Sequence, residues 1–493
     1  MNDPNRFLAA AASGELVPVV DTIPADLMTP VGVYLKLSAA ASHSFLLESV
    51  AGGETLARYS FIGVSPEMIV SGSDSGVTVT DGDGSRRLET PMIEFLREHF
   101  ANNRIGDVAG LPTFAGGAIG YISFDCAGWF EPTLRRPVEN NGGPAESIFM
   151  FFRSIVAFDH AKQEIKIITL VRPSKCDDTD TLSRRYSEAK EKNRSVRAHI
   201  ERGEIPIPEV SQTAGQHPTT SNFTQKEFED AVRDVKERIA AGDCYQIVLS
   251  QCFSRATAAP PAAIYRAVRS LNPSPYMFLL HFGSSAIIGA SPEMLVRCRG
   301  NDIEYRPIAG TRPRGQTPFE DAGLAADMQV DAKEVAEHVM LVDLGRNDVG
   351  RIAEFGSVCV KNLMTVEKYS HVQHMVSSIT GKLKLGLDRF DALASCFPAG
   401  TVSGAPKVRA IEIIRELEPT PRGVYAGAVG YFDYAGNMDT CIAIRTLVLE
   451  DGVAKVQAGA GIVADSIPES EYIETVNKAA AMLRTIEIAE EHD

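Results

Sequence analysis

The chain has 493 residues, 44% of them hydrophobic, with a formal net charge of −15, so it supplies apolar surface for one large or two medium cores. The negative balance opposes approach to a phosphate backbone and no Lys/Arg cluster offsets it, which excludes nucleic acid as an expected partner. The first sixteen residues lack an export pattern, no segment reaches the about 20 apolar residues that span a bilayer, and the eight scattered cysteines include no C-x-x-C pair, so no membrane contact and a reducing cytoplasm are expected.

In chain order, residues 31–37, 44–48 and 67–71 are short β-favouring runs with glycine breaks such as 51–53 between them. The run 113–121 (TFAGGAIGY) carries glycines inside an apolar strand pattern, which predicts close backbone approach or a bulge. Residues 183–201 are charged and read as a surface helix. Residues 201–222 then gather Pro, Ser, Thr and Gln without periodicity, which reads as a linker between a first lobe, 1–200, and a second, 223–493. Beyond it, Thr224 and Glu227 form a capping box for a helix with Phe228, Val232, Val235 and Ile239 on its apolar face. Strands are predicted at 245–253, 276–282, 286–289 and 294–299. Strand runs and separated helices without βαβ alternation indicate an α+β fold.

Two acidic segments carry the first chemical signal. In 331–348 (DAKEVAEHVMLVDLGRND) Asp331 caps a helix with Val335, Val339 and Val342 on its apolar side, and Glu334, Glu337 and His338 share a neighbouring face. In 470–478 (SEYIETVNK) Glu471, Glu474 and Lys478 line one face, after a glycine-rich stretch and Pro468. A solvated helix face explains either segment alone. Together they suit a hard divalent cation, with Mg²⁺ preferred where water and substrate oxygens complete the shell; a dimetal hydrolase is the competing reading.

Residues 397–409 (FPAGTVSGAPKVR) form a turn into a helix, whose start, aided by Lys407, offers a site for a carboxylate or phosphate against the alternative of an ordinary turn. Tyr425 in a strand at 425–431, Arg445 in a second strand, and Gly459 and Gly461 have the chemistry to grip a carboxylate if they converge. His371 and His374 lie where strand alternation is ambiguous, and a satisfied core role is as consistent as a chemical one.

Taken together, RPIAGTRPRG (306–315), DLGRND (343–348), FPAGTVSGAPK (397–407) and AGAGIVADSIPESEYIET (458–475) resemble the chorismate-utilising enzymes, and most closely the anthranilate synthase large subunits. The resemblance implies two large antiparallel β-sheets packed as a sandwich with helices outside, a regulatory first lobe and a chorismate-binding second lobe. It implies Glu337 and Glu474 as Mg²⁺ ligands supported by Glu334 and Glu471. It implies Glu293 as the acid that protonates the departing C4 hydroxyl, and His374 as an aid to pyruvate loss. Thr401, Tyr425, Arg445, Gly459, Gly461 and Lys478 match substrate-pocket positions.

Two positions separate reactions within that family. Relatives that add water carry Lys where Gln246 stands, and relatives that attack through a covalent amine carry Lys where Ala309 stands. The resemblance therefore implies direct addition of ammonia to chorismate and formation of anthranilate and pyruvate, the first committed step of tryptophan biosynthesis. An aminodeoxyisochorismate synthase, which retains the pyruvyl ether, is the alternative, and a catalytically silent amino-acid sensor is the rival from another class. Ammonia is expected from a separate glutamine amidotransferase subunit, which makes a hetero-oligomer. Leu47, Glu48 and Ser49, with Asn272, Pro273, Tyr276, Met277 and Phe278, match the family's tryptophan-binding elements, so feedback inhibition by tryptophan is implied.

Overall fold

The computed structural model describes residues 3–49, 58–106, 108–135, 145–174, 176–206, 217–369 and 372–491. Among them two antiparallel sheets of twelve strands each form the centre of the molecule. The first includes, side by side, Tyr59–Val64, His43–Glu48, Tyr276–Phe282, Ser285–Ser291, Thr446–Glu450, Val453–Ile462 and Gln246–Ala256. The second includes Ile308–Pro313, Val372–Lys382, Asp302–Tyr305, Met294–Arg299, Met438–Ile442, Ala428–Asp433 and Gly117–Ile122.

The sheets meet face to face. Phe45 packs on Phe152 with ring centroids 4.9 Å apart, and Phe61 on Tyr431 at 6.2 Å. Strand alternation sends the next side chain the other way, so Leu46, Leu279 and Ile288 pack with Ile264 and Val268 of helix Pro261–Leu271 and Met482 of helix Pro468–Glu491. This is the α+β arrangement of two packed antiparallel sheets with helices outside that the motifs implied.

Both sheets draw strands from either side of residues 201–222. His43–Glu48 pairs with Tyr276–Phe282, setting Leu47 opposite Phe278 and Glu48 opposite Met277, and Gly117–Ile122 pairs with Ala428–Asp433. Residues 1–200 and 223–493 are thereby joined into shared sheets. Residues 207–216 of the linker, the glycine break at 51–53 and His371 lie outside the described residues.

Local signals account for most elements. Helix Gln225–Ala240 opens with the Thr224–Glu227 capping box and buries Phe228, Val232 and Val235. A Cβ at Gly120 would stand 1.9 Å from the Ile148 carbonyl, the close approach that the glycines of 113–121 predict.

Three expectations are corrected. Residues 31–37 are helical, because Thr29 Oγ1 accepts the Gly32 N–H at 3.1 Å and Pro30 occupies the first turn of helix Pro30–Ser38. Tyr425 and Arg445 lie outside strands: positive φ at Ala426 (63°) and Arg445 (51°) breaks the backbone beside each. In helix Ala332–Ile352 the buried stripe is His338, Leu341, Val342, Gly345 and Val349, and Val339 is 44% exposed.

Candidate active site

Strand Gln246–Ala256 pairs with Val453–Ile462, placing Val248 opposite Gly461 and Ser250 opposite Gly459. The two glycines leave room that other side chains use. A Cβ at Gly459 would lie 2.9 Å from the Tyr425 hydroxyl, and one at Gly461 would lie 2.7 Å from Gln246 Nε2. Tyr425 is buried, and burial is the main reason its phenol is pushed up to about 12. Arg445 interacts electrostatically with both Tyr425 and His374. Its residue surface is solvent-accessible although protein surrounds the guanidinium, and no carboxylate pairs with it among the described residues. Lys478 Nζ donates to the Gly459 carbonyl at 3.1 Å, which brings the 468–491 helix to the same edge.

Glu293 follows strand Ser285–Ser291, and its backbone is pinned by the Ile442 N–H, which donates to its carbonyl at 3.0 Å. The side chain is only 6% exposed. Burial pushes its carboxyl up to about 8, and the Thr401 hydroxyl offsets part of that shift. The two groups approach without closing a hydrogen bond, so Glu293 Oε1 and Thr401 Oγ1 are both buried without a protein partner. A carboxyl that is protonated at neutral pH beside an unsatisfied hydroxyl is equipped to donate to a ligand oxygen.

A bulge fixes the nearby imidazole. Register shifts between Ala309 and Thr311 in the pairing with Val372–Lys382, and Gly310, at φ 66°, occupies the extra position. The Gly310 carbonyl lies 3.0 Å from His374 Nδ1, and a carbonyl only accepts, so that nitrogen carries the proton and Nε2 is the basic one. Burial lowers the His374 pKa, which keeps the ring neutral. Thr311 Oγ1 adds a contact to the same Nδ1 at 3.1 Å.

The four glutamates come from helices Ala332–Ile352 and Pro468–Glu491. Glu337 remains solvent-accessible, yet the surrounding protein and then the Glu334 and Glu474 carboxylates raise its pKa. Burial, and in smaller part Glu474, raises that of Glu471. Carboxylates from two helices that repel one another are an all-oxygen donor set of the kind Mg²⁺ takes. No cluster of three or more metal-ligating side chains is closed among the described residues. Two of the four are held by cations instead: Glu334 by Arg312 at 2.8 Å and Glu474 by Lys478 at 2.6 Å. His338 stands apart, buried, with Nε2 on Ser377 Oγ at 2.6 Å.

The two segments matched to tryptophan binding are brought together by the pairing of His43–Glu48 with Tyr276–Phe282. Met277 packs on the helix side of the sheet and Phe278 between the sheets, so strand alternation prevents both from meeting one ring. The Glu48 carboxylate is already engaged, by Tyr265 Oη at 2.6 Å and Arg269 Nε at 3.1 Å. Ser49 Oγ and Asn272 Nδ2 are buried without partners. Tyr276 Oη donates to Asp439.

At the start of helix Lys407–Leu417 the cation that the sequence offered to an anion has a protein partner. Lys407 pairs with the buried Asp348 at 3.0 Å, so its charge is spent holding the start of helix Lys407–Leu417. Sequence reasoning also missed Thr311 and Arg312, which lie in the RPIAGTRPRG motif but were read only for Ala309.

The chorismate binding enzyme family model matches residues 77–484. The chain is 44% identical over 482 residues to anthranilate synthase component 1 of Acetivibrio thermocellus, covering 97% of this chain and 96% of that protein. It is 44% identical to the same component of Pseudomonas aeruginosa, covering 99% of each. The crystal structure of anthranilate synthase component I from Streptococcus pneumoniae superposes with a TM-score of 0.76 at 35% identity, over 93% of this chain and 98% of that one. The menaquinone-specific isochorismate synthase of Escherichia coli shares the fold, with a TM-score of 0.69 at 21% identity over 97% and 99% of the two chains.

Proposed function

The chain belongs to the chorismate binding enzyme family, and from that premise we propose that it converts chorismate and ammonia to anthranilate and pyruvate. The observation that carries the reading is the Glu293–Thr401 pair, a buried acid with a free oxygen facing a free hydroxyl. On this reading the Arg445 guanidinium and the Tyr425 hydroxyl bind the enolpyruvyl carboxylate. Ammonia forms a bond to ring C2, both ring double bonds shift toward C4, and the C4–O bond breaks as Glu293 gives its proton to the leaving oxygen, which departs as water. Glu293 is left as a carboxylate. The neutral Nε2 of His374 then accepts the C2 proton while the C3–O bond breaks, which aromatises the ring and releases the enolate of pyruvate; the enolate takes a proton at its methylene carbon, from the imidazolium or water, to become pyruvate. Gln246, folded over Gly461, and the buried Ala309 supply neither a water-activating base nor an amine nucleophile.

Mg²⁺ held by Glu337 and Glu474, with Glu334 and Glu471 in support, would supply positive charge to neutralise the ring carboxylate. Ammonia would come from a glutamine amidotransferase partner. Tryptophan would bind where Ser49 and Asn272 lie unsatisfied, with a backbone carbonyl rather than Glu48 receiving its ammonium.

The test is chorismate, Mg²⁺ and ammonium salt with the purified chain at mildly alkaline pH, followed by anthranilate fluorescence. Emission that depends on ammonia supports the reading. Chorismate consumption and amination without emission would instead assign the aminodeoxyisochorismate reaction.

A further inference from the structure

Arg422 and Glu418 form an ion pair whose side chains are 1% and 3% exposed, with Nε and Nη2 of Arg422 on the two carboxylate oxygens at 2.9 and 2.6 Å. Such a pair is seldom the most stable filling for an apolar interior. What it touches explains its presence. Arg422 Nη1 donates to the Val402 carbonyl at 2.7 Å, one residue beyond Thr401. Nη2 donates to the Val248 carbonyl at 2.7 Å, two residues beyond Gln246 on the same strand. The guanidinium lies 4.4 Å over the Phe124 ring and 5.5 Å from the Tyr425 ring. Glu418 accepts the N–H and the hydroxyl of Ser250, each at 2.8 Å, and Ser250 is the ladder partner of Gly459.

One charged pair therefore ties together the turn bearing Thr401, the strand bearing Gln246, the ladder position of Gly459 and the ring of Tyr425. We infer that Arg422 and Glu418 are positioning residues that hold these groups in register for the reaction. The inference rests on the reading of the site given under Proposed function. A guanidinium is required because one planar group must serve a carboxylate and two carbonyls lying in different directions, which a lysine ammonium on a flexible stem cannot do with fixed geometry.

The discriminating variant is the double substitution Glu418→Leu with Arg422→Met, which replaces the pair by apolar groups of similar size and leaves no lone buried charge. It is compared with Arg422→Lys and the unaltered chain for melting temperature, kcat and KM with chorismate and ammonia, and chorismate affinity by calorimetry. The double variant is expected to melt within a few degrees of the unaltered chain while kcat/KM falls about 100-fold and chorismate binds about tenfold more weakly, the scale set by ångström misplacement of reacting groups. Arg422→Lys should recover only part of that loss. A stable double variant with kcat/KM within about threefold of the unaltered chain would show a purely structural pair and overturn the inference. If the unaltered chain forms no anthranilate, the proposed reaction fails separately, and the pair is judged on chorismate affinity: a tenfold loss in the stable double variant upholds it and an unchanged affinity overturns it.

Discussion

The Tyr425 hydroxyl lies against the Gly459 backbone: a Cβ added at Gly459 would meet that oxygen at 2.9 Å and the Leu249 carbonyl at the same distance. A backbone carbonyl in a paired strand cannot retreat as a side-chain tip can. Gly459→Ala should therefore displace Tyr425 and lower kcat/KM for chorismate by about tenfold or more, roughly 1.4 kcal/mol of lost transition-state binding. At Gly461 the obstacle is the end of the Gln246 side chain, which can rotate away, so Gly461→Ala should be milder. Steady-state kinetics of the two variants check the order; a larger loss at Gly461 would contradict it.

Glu293 connects catalysis to pH. Its carboxyl titrates near 8 in the folded chain against 4.5 as an ordinary glutamate. Between those values the folded chain keeps a proton that the unfolded chain has lost, so this group's contribution to stability is fully present below about pH 4.5 and is lost as pH rises through about 8. At roughly 1.4 kcal/mol per pKa unit, the loss amounts to a few kcal/mol. Glu293→Gln removes that dependence. The variant should melt above the unaltered chain at about pH 9, with the difference shrinking toward pH 5, while anthranilate formation is abolished. Activity of the unaltered chain, corrected for free ammonia, should decline above pH 8 as the acid deprotonates. Melting curves and pH–rate profiles read both effects, and retained activity in Glu293→Gln would remove Glu293 from the mechanism.

Signals confined to a few neighbouring residues were legible in the sequence. The capping box at Thr224, the strands Tyr276–Phe282 and Met294–Arg299, and the carboxylate spacing of the two acidic helices all rest on local pattern. The helix Pro30–Ser38 was hidden because its β-branched and aromatic residues favour strands when read alone, and the cap at Thr29 decides otherwise. Tyr425 and Arg445 left their expected strands because tertiary contacts impose left-handed backbone on non-glycine residues, for which sequence gives no cue. Lys407 offered a free cation until folding brought Asp348, 59 residues away, against it. The pairing of Glu418 with Arg422 spans only four residues, but nothing in the sequence distinguishes it from a solvated surface pair.

The acidic helices give a prediction about the metal. Raised pKa at Glu337 follows from burial and from the neighbouring Glu334 and Glu474 carboxylates, an arrangement that a divalent cation relieves. Glu337→Gln and Glu474→Gln should each weaken Mg²⁺ binding by at least about tenfold, since even outer-shell changes cost that much. Calorimetric titration and the loss of Mg²⁺-induced stabilisation report it without reference to turnover. Unchanged Mg²⁺ affinity in both variants would remove these residues from the metal site.

The unsatisfied groups at the strand end give the last prediction. Ser49 Oγ and Asn272 Nδ2 are buried without partners beside the paired strands His43–Glu48 and Tyr276–Phe282, and an unpaired buried polar group carries a penalty that a ligand's polar atoms can relieve. Tryptophan carries both a carboxylate to accept from such donors and an indole for apolar surface. Binding there should raise the melting temperature and inhibit the ammonia-dependent reaction. Ser49→Ala and Asn272→Ala should each raise the tryptophan concentration for half inhibition by about tenfold, the loss of one hydrogen bond of roughly 1 kcal/mol or slightly more. Glu48→Gln acts differently, because Tyr265 and Arg269 already hold that carboxylate. Its main effect should be a lower melting temperature with or without tryptophan, as Arg269 loses its buried counterion. Thermal shift and inhibition curves for the three variants separate ligand contacts from structural ones, and an unaltered tryptophan response in both Ser49→Ala and Asn272→Ala would move the amino-acid site elsewhere.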